Sequence, residues 1–359
     1  PQRIASLSKI FTTFFASEKL DLQKRYELKI YVTNDALHIE GGRDPYFEEE
    51  KMFLLMKALN ELGYMSFKTV TMDANFFFTD ESQSEYHEIT PAYVLSRLAF
   101  YLNKKNRKTL AGKWSSVQNF AWEEGIDLHK IKLPQITAQK VSLVTTNPLK
   151  DLAPTVYTHR SLPLRLILKS MIVQSKNIVA QNLYLEVGAL QKFTDFMVER
   201  GFKADQFVFY TGSGLPVING NSRIDNLATC RVILRLIPLL EKSLAKHGLA
   251  LSDVLAVAGG KDLGSFRSRF KRYPETNEAV LAKTGTLMQT SALSGVLLID
   301  GKIPFAILNN SSNTSGSRVF EDYFVSRMFF HLGNPTPMDY TKISIFPWNT
   351  SEFLATAVR

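Results

Sequence analysis

The chain has 359 residues, with an apolar share of 45% and a charged share of 21%, which excludes a disordered polymer and is enough for a buried core spread over two domains. No apolar run approaches the ~18 residues of a membrane span, so no transmembrane segment is expected. Forty-three basic against 34 acidic side chains leave a net charge of +9, which favours an acidic partner; without a helix-turn-helix, an aromatic RNP stretch or zinc spacing, nucleic acid is not that partner.

In chain order, residues 5–18 read as a helix that opens at Ser6. "YELKIYVT" and "ALHIEGG" read as a hairpin turning through Asn34-Asp35. "DPYFEEEKMFLLMKALNELGY" has Pro45 near its start, acids in its first turn and a closing glycine, the start and stop signals of a helix. "MSFKTVTMD" is a strand and "PAYVLSRLAFYLNK" a helix. Residues 103–140 are polar with weak periodicity and read as loop-rich. Their basic cluster "NKKNRKTLAGK" is expected to be a solvated loop first and a polymer-binding patch second.

"QKVSLVTTNP" follows as a strand, then helices over "LPLRLILKSMIVQS", "NIVAQNLYLEVGALQKFTDFMVERG" and "DNLATCRVILRLIPLLEKSLAKHG". The single cysteine, Cys230, excludes an internal disulfide and is expected to be a small buried residue. "EAVLAKTGTL", "SALSGVLLIDG" and "KIPFAILNNSS" read as three consecutive strands, "SRVFEDYFVSRMFFHLG" as a closing helix and the remainder as a tail. Such segregated elements favour an α+β fold.

Three short phrases carry chemistry. Ser6-Leu7-Ser8-Lys9 puts a serine and a lysine three positions apart, on one face of a helix start. The spacing recurs at Ser243/Lys246 and Ser268/Lys271, so alone it is a cap and a surface lysine. Ser175-Lys176-Asn177 falls between two helices, and alone it too is a cap, since Ser311-Ser312-Asn313 also fits. Lys283-Thr284-Gly285 occurs once, on a strand. In this order the three are the signature of serine penicillin-binding enzymes and class A β-lactamases.

A serine hydroxyl is a weak nucleophile and needs a base. A lysine serves only if burial and nearby positive charge lower its pKa. Lys283 would hold Lys9 neutral and attract a substrate carboxylate with Thr284. Ser175 would relay a proton from Lys9 to the leaving amine, and Asn177 would bind both Lys9 and a substrate carbonyl. Gly285 would leave room for substrate to lie along the strand. The N–H groups of Ser6 and Thr286 would form the oxyanion hole. No metal or other cofactor is required.

The sequence resembles the penicillin-binding protein 4 type of D-alanyl-D-alanine carboxypeptidase, peptidase family S13. The resemblance runs through "ASLSKIFTT", "GGRDPYF", "TMDANFF", "HRSLPLRLILKSMIVQSKNIVAQNL", "GSGL", "SRIDNLAT" and "AKTGTLMQTSALSGVL", covering most of residues 1–330. It implies a transpeptidase-like catalytic domain over 1–25 and 146–333, antiparallel sheet flanked by helices. A smaller inserted domain over 26–145 would lack the family's outermost domain, with a tail at 334–359. Implied partners are peptidoglycan stem peptides and, as covalent inhibitors, β-lactam antibiotics. The implied activity is serine DD-peptidase, as carboxypeptidase, endopeptidase or both, in the periplasm. No signal peptide is visible, and Ser6 lies so near Pro1 that a processed or trimmed form is expected.

Four departures bear on substrate preference. Thr211 stands where the family usually has aspartate, "PVINGN" reads as an insertion, Lys176 fills the middle of the second motif, and the tail has no counterpart. A shortened insert and an altered loop would open the cleft to cross-linked polymer. The rival readings are a class A-like β-lactamase, disfavoured by the long stretch between Ser6 and Ser175, and an inactive peptidoglycan-binding protein. No Gly-x-Ser-x-Gly elbow or His-Glu-x-x-His cluster supports other hydrolases.

Overall fold

The computed structural model describes residues 1–80 and 83–356. They divide into two compact units, one built from 1–23, 83–87 and 164–343, the other from 24–80, 88–163 and 344–356. In chain order the longer helices are α1 (Ser8–Lys19), α2 (Glu49–Glu61), α3 (Pro91–Tyr101), α4 (Arg107–Glu123), α5 (Leu164–Val173), α6 (Asn177–Glu186), α7 (Ala189–Glu199), α8 (Cys230–Ala245) and α9 (Thr314–Leu332). The longer strands are β1 (Glu27–Val32), β2 (Ala36–Glu40), β3 (Ser66–Met72), β4 (Thr137–Leu143), β5 (Thr155–Arg160), β6 (Val280–Leu287), β7 (Thr290–Leu298), β8 (Lys302–Asn309) and β9 (Glu352–Thr356).

The first unit is α+β. Strands β6, β7 and β8 form an antiparallel meander, and Ala256–Val257 adds to the far side of β6. Every residue of β7 is buried, as befits a strand with neighbours on both edges and helices packed against it. Helix α8 buries Val232, Ile233, Leu236, Ile237, Leu240 and Leu244, a stripe at helical spacing. That stripe packs against α1 and β8. Thr229 caps α8 by accepting the N–H of Val232.

The second unit holds a six-stranded mixed sheet in the order β9-β5-β1-β2-β3-β4, parallel between β2, β3 and β4 and antiparallel elsewhere. Leu28, Ile30 and Val32 alternate inward from β1. They join Phe47, Phe53, Phe67, Tyr101 and Trp114 in one core.

Several local expectations change. Residues 103–140, expected to be loop-rich, contain α4; Leu110, Trp114, Val117 and Ala121 are buried at helical spacing, a stripe masked in the sequence by the lysines and serines between them. The basic cluster is therefore a capped helix start, with Lys104, Lys105, Arg107 and Lys108 off the buried face. The helix expected from Ser6 opens with a single 3₁₀ turn over Ala5–Leu7. The helix expected over 177–201 breaks at Gly188, whose φ of 111° belongs to the left-handed region that glycine adopts freely. Cys230 is exposed, because it is the first residue of α8 and lies off the buried stripe. The second unit extends to residue 163, not 145, because β5 pairs with β1, and part of the tail returns to it as β9.

Within that second core lies His159, 1% exposed on β5. Its ring meets Phe47 edge-on at 5.9 Å, and neither ring nitrogen has a hydrogen-bond partner among the described residues. Burial first, and then the charge of Lys51, push its pKa down to about 3 from an ordinary 6.5. The folded chain therefore holds the neutral ring, while the unfolded chain takes up a proton below pH 6.5. Stability contributed by the neutral ring is lost as pH falls from 6.5 towards 3. The loss is on the order of 3 kcal/mol by about pH 4. Urea unfolding midpoints measured against pH are expected to fall less steeply for His159→Leu than for the parent across that window.

Candidate active site

The site is built in the first unit. Ala5, with φ 47°, turns the chain so that Ser6 stands at the head of α1. Ser8 Oγ donates to Ala5 O at 2.8 Å and accepts from Asn226 Nδ2 at 2.9 Å, which pins this turn. The opposing loop, Thr211–Leu215, is pinned as well. Thr12 Oγ1 donates to Gly212 O at 2.7 Å, and Thr211 Oγ1 donates to Leu215 O at 2.8 Å. Gly214, at φ 83°, is the point of closest approach: a Cβ there would stand 2.0 Å from Ala5 O.

Lys9 is fully buried. Its Nζ lies 2.9 Å from Ser6 Oγ, 2.8 Å from Asn177 Oδ1 and 2.9 Å from Ser213 O. Burial, and then the charge of Lys283, push its pKa well below 10.5. A neutral amine has two N–H donors and one lone pair. The oxygens of Asn177 and Ser213 can only accept, so they take both donors. The lone pair is then left for Ser6, whose hydroxyl becomes the donor. That is the arrangement of a nucleophile hydrogen-bonded to its base.

Ser175 lies between α5 and α6 with φ 56°, and Asn177 is the first residue of α6. Asn177 Nδ2 reaches Gln83 O at 3.4 Å. Lys283 Nζ donates to Ser175 Oγ at 3.0 Å and to Thr284 O at 2.9 Å. Burial first, then the charge of Arg269, push Lys283 down to about 7. Arg269 is itself held by Asp322 Oδ1 at 2.7 Å and Glu321 Oε2 at 2.9 Å. The sequence reading linked Ser175 to Lys9; the hydrogen bond found at Ser175 comes from Lys283.

Gly285 faces the turn that carries Ser6, where a Cβ would stand 2.7 Å from Ile4 O. The glycine thus makes room for the protein's own backbone. Ala256–Val257 pairs β6 only through Leu281–Ala282, so the stretch from Lys283 onward has an edge open to an added strand. Ser6, Ser175, Thr284 and Thr286 line one cleft of about 270 Å³.

The three motifs therefore converge as they stand in sequence order. Their spacing did not reveal five further groups: the carbonyl of Ser213, and Ser265, Ser268, Arg269 and Arg318, which also line the cleft. The phrase "GSGL" marked the first of these without giving it a role, and nothing local marked the others. Among the described residues no group of three or more His, Cys, Asp or Glu side chains is placed to hold a metal ion, and no helix is long and apolar enough to cross a membrane.

Comparison with known proteins follows the same lines. The family model described as D-Ala-D-Ala carboxypeptidase 3 (S13) matches residues 112–326, which hold Ser175, Asn177 and Lys283 but not Ser6 and Lys9. Among solved structures, the predatory peptidoglycan endopeptidase Bd3459 of Bdellovibrio bacteriovorus superposes with a TM-score of 0.83 at 25% identity, over 99% of this chain and 92% of that one. Its penicillin G-acylated form, in complex with the immunity protein Bd3460, gives 0.81 at 25% identity, over 99% and 92%. The predatory endopeptidase Bd0816 of the same organism gives 0.81 at 27% identity, over 98% and 93%. Penicillin-binding protein 4 of Haemophilus influenzae shares the fold, with a TM-score of 0.56 at 18% identity over 91% of each chain. No curated protein sequence matches. With its family model spanning more than half of the sequence, this chain belongs to the S13 family of D-Ala-D-Ala carboxypeptidases.

Proposed function

We propose that this chain is a serine DD-peptidase of peptidoglycan, acting through an acyl-enzyme at Ser6. It cleaves the D-Ala-D-Ala terminus of a stem peptide, the D-Ala-diaminopimelate cross-link, or both. The observation that carries this reading is the buried Lys9 amine, 2.9 Å from Ser6 Oγ, with its two donors committed to carbonyl oxygens.

In this mechanism Lys9 takes the proton of Ser6 as Oγ attacks the carbonyl carbon before the scissile bond. The N–H groups of Ser6 and Thr286 receive the oxyanion; losing one such donor costs roughly 3–4 kcal/mol of barrier lowering. The leaving amine takes a proton from Ser175, which Lys283 restores through the hydrogen bond at 3.0 Å. Water then attacks the acyl carbon and gives its proton back to the Lys283–Ser175 pair. Lys9 returns its own to Ser6.

Cross-link cleavage is favoured by the relatives, which are endopeptidases matched over nearly their full length. In this reading the second unit is the family's inserted domain in reduced form, and the substrate places the protein in the periplasm.

Intact-mass spectrometry after brief exposure to penicillin G is expected to show one adduct on the parent and none on Ser6→Ala. An adduct on both, or on neither, would sink the acyl-enzyme at Ser6. Chromatography of digests is expected to show faster loss of cross-linked muropeptide dimers than of a soluble pentapeptide; equal rates would count against the open cleft.

The pH profile follows from Lys283. Lys283, at about 7, carries its charge below that value and loses it above. The second-order rate of penicillin acylation is expected to fall as pH rises through about 7. Lys283→Arg, always cationic but unable to hand a proton to Ser175, is expected to acylate more slowly at every pH and to lack that alkaline limb.

A further inference from the structure

We propose that the second unit has a binding groove of its own for peptidoglycan, in which Lys104 and Lys105 hold carboxylates of the stem peptides. The inference rests on the reading of peptidoglycan as the substrate and adds a point of attachment outside the catalytic unit.

The groove encloses about 740 Å³. Its walls are the turn between β1 and β2, the starts of β3 and β4, and the turn before α4. Lys104 and Lys105 stand in that last turn, and both are exposed. Asn34, Asn103 and Gln139 set carboxamides along the same groove. Among the described residues, the side chains of Asn34, Lys104, Lys105 and Gln139 make no hydrogen bond or ion pair. Asn103 Oδ1 accepts the N–H of Lys105 at 3.0 Å, and its Nδ2 has no partner among the described residues.

The positive charge of the groove is not answered from within. Asp35, the acid of its lining, is paired with Lys68 at 2.8 Å. Arg107 and Lys108 follow at the start of α4, whose first turn holds no acid. Lys104, Lys105, Arg107 and Lys108 have no carboxylate partner among the described residues. Like charges so close in the chain repel one another, and an incoming anion relieves that repulsion.

The lining selects among polyanions. A lysine ammonium is a point charge that takes carboxylate or phosphate alike. Phe67, the aromatic residue of the wall, is only 2% exposed, so the groove offers no ring for a nucleic-acid base to stack on. Carboxamides donate to and accept from amides and hydroxyls. A stem peptide brings free carboxylates, and the glycan strand that bears it brings N-acetyl amides and hydroxyls. That combination matches two unpaired lysines flanked by three carboxamides.

The test is co-sedimentation with purified sacculi at rising salt, in a Ser6→Ala background so that the polymer is not digested. Ser6→Ala alone is compared with a groove pair, Lys104→Glu with Lys105→Glu, and with a control pair, Lys150→Glu with Lys203→Glu, at exposed lysines outside the groove. Thermal unfolding of each is run in parallel. Ser6→Ala is expected to bind and to be released as salt screens the contacts. The groove pair is expected to bind about tenfold more weakly, the loss of two exposed charge contacts. Lys104→Gln with Lys105→Gln, which removes the charges without reversing them, should fall between. The control pair is expected to bind as Ser6→Ala does. An equal loss in both glutamate pairs assigns the effect to net charge and overturns the groove, as does unchanged binding by both. Binding of duplex DNA that falls in the groove pair while binding of sacculi holds reassigns the groove to phosphate and overturns the proposal too. The penicillin adduct of the parent is read separately. Its absence removes the acyl-enzyme reading and leaves the groove standing; a normal adduct with unchanged binding of sacculi removes the groove alone.

Discussion

A lysine ammonium taken wholly out of water must find a carboxylate or give up its proton. Two buried lysines of this chain take the first course: Lys51 pairs with Asp44 at 2.6 Å, and Lys169 with Asp262 at 2.6 Å. Lys9 and Lys283 have no carboxylate within bonding distance among the described residues. They are held by hydroxyl, carboxamide and backbone oxygens. The same residue type in the same degree of burial thus does two jobs. In one case an ion pair balances the charge, and in the other burial without an acid lowers the lysine's pKa.

Everything around Lys9 serves that withheld charge. The oxygens it touches come from the 3₁₀ turn before α1, the start of α6 and the loop at Ser213, segments far apart in the sequence. Bringing them together forces the backbone into close quarters. Ala5 and Ser175 adopt left-handed angles without being glycine, at a cost of order 1–3 kcal/mol each that the surrounding packing must cover. Gly214 and Gly285 press against Ala5 O and Ile4 O, where a methyl group would not fit. Strain and close approach meet at the turn that carries Ser6.

The sequence made this much of the site readable because each motif is local. A serine and a lysine three apart on a helix face need no knowledge of the rest of the chain. Neither does a Lys-Thr-Gly strand. The α+β arrangement was readable for the same reason, since β6 to β8 follow one another as short apolar runs. What escaped depends on distant chain crossings. Ser213 contributes a carbonyl, which every residue has, so its side chain gives no sign. Arg318 is one arginine among many until β6 is seen beside it. Helix α4 was hidden by its lysines and serines, although its four buried positions were correctly spaced. Strand β5 was passed over although "TVYTHR" alternates, because its partners are β1 from early in the chain and β9 from far beyond.

Strand β9 also sets an order of assembly. The second unit draws its first five strands from residues before 164 and its sixth from residues 352–356, after the whole catalytic unit has been synthesised. While the ribosome extends the chain through α5 to α9, β5 has β1 on one side and a row of unpaired N–H and C=O groups on the other. Such an edge invites pairing with another nascent chain. It is covered only when Phe353 comes to lie opposite His159 and stacks on Tyr157. The protein therefore passes through synthesis with the β5 edge open until β9 covers it and takes its place as the outer strand of the described sheet.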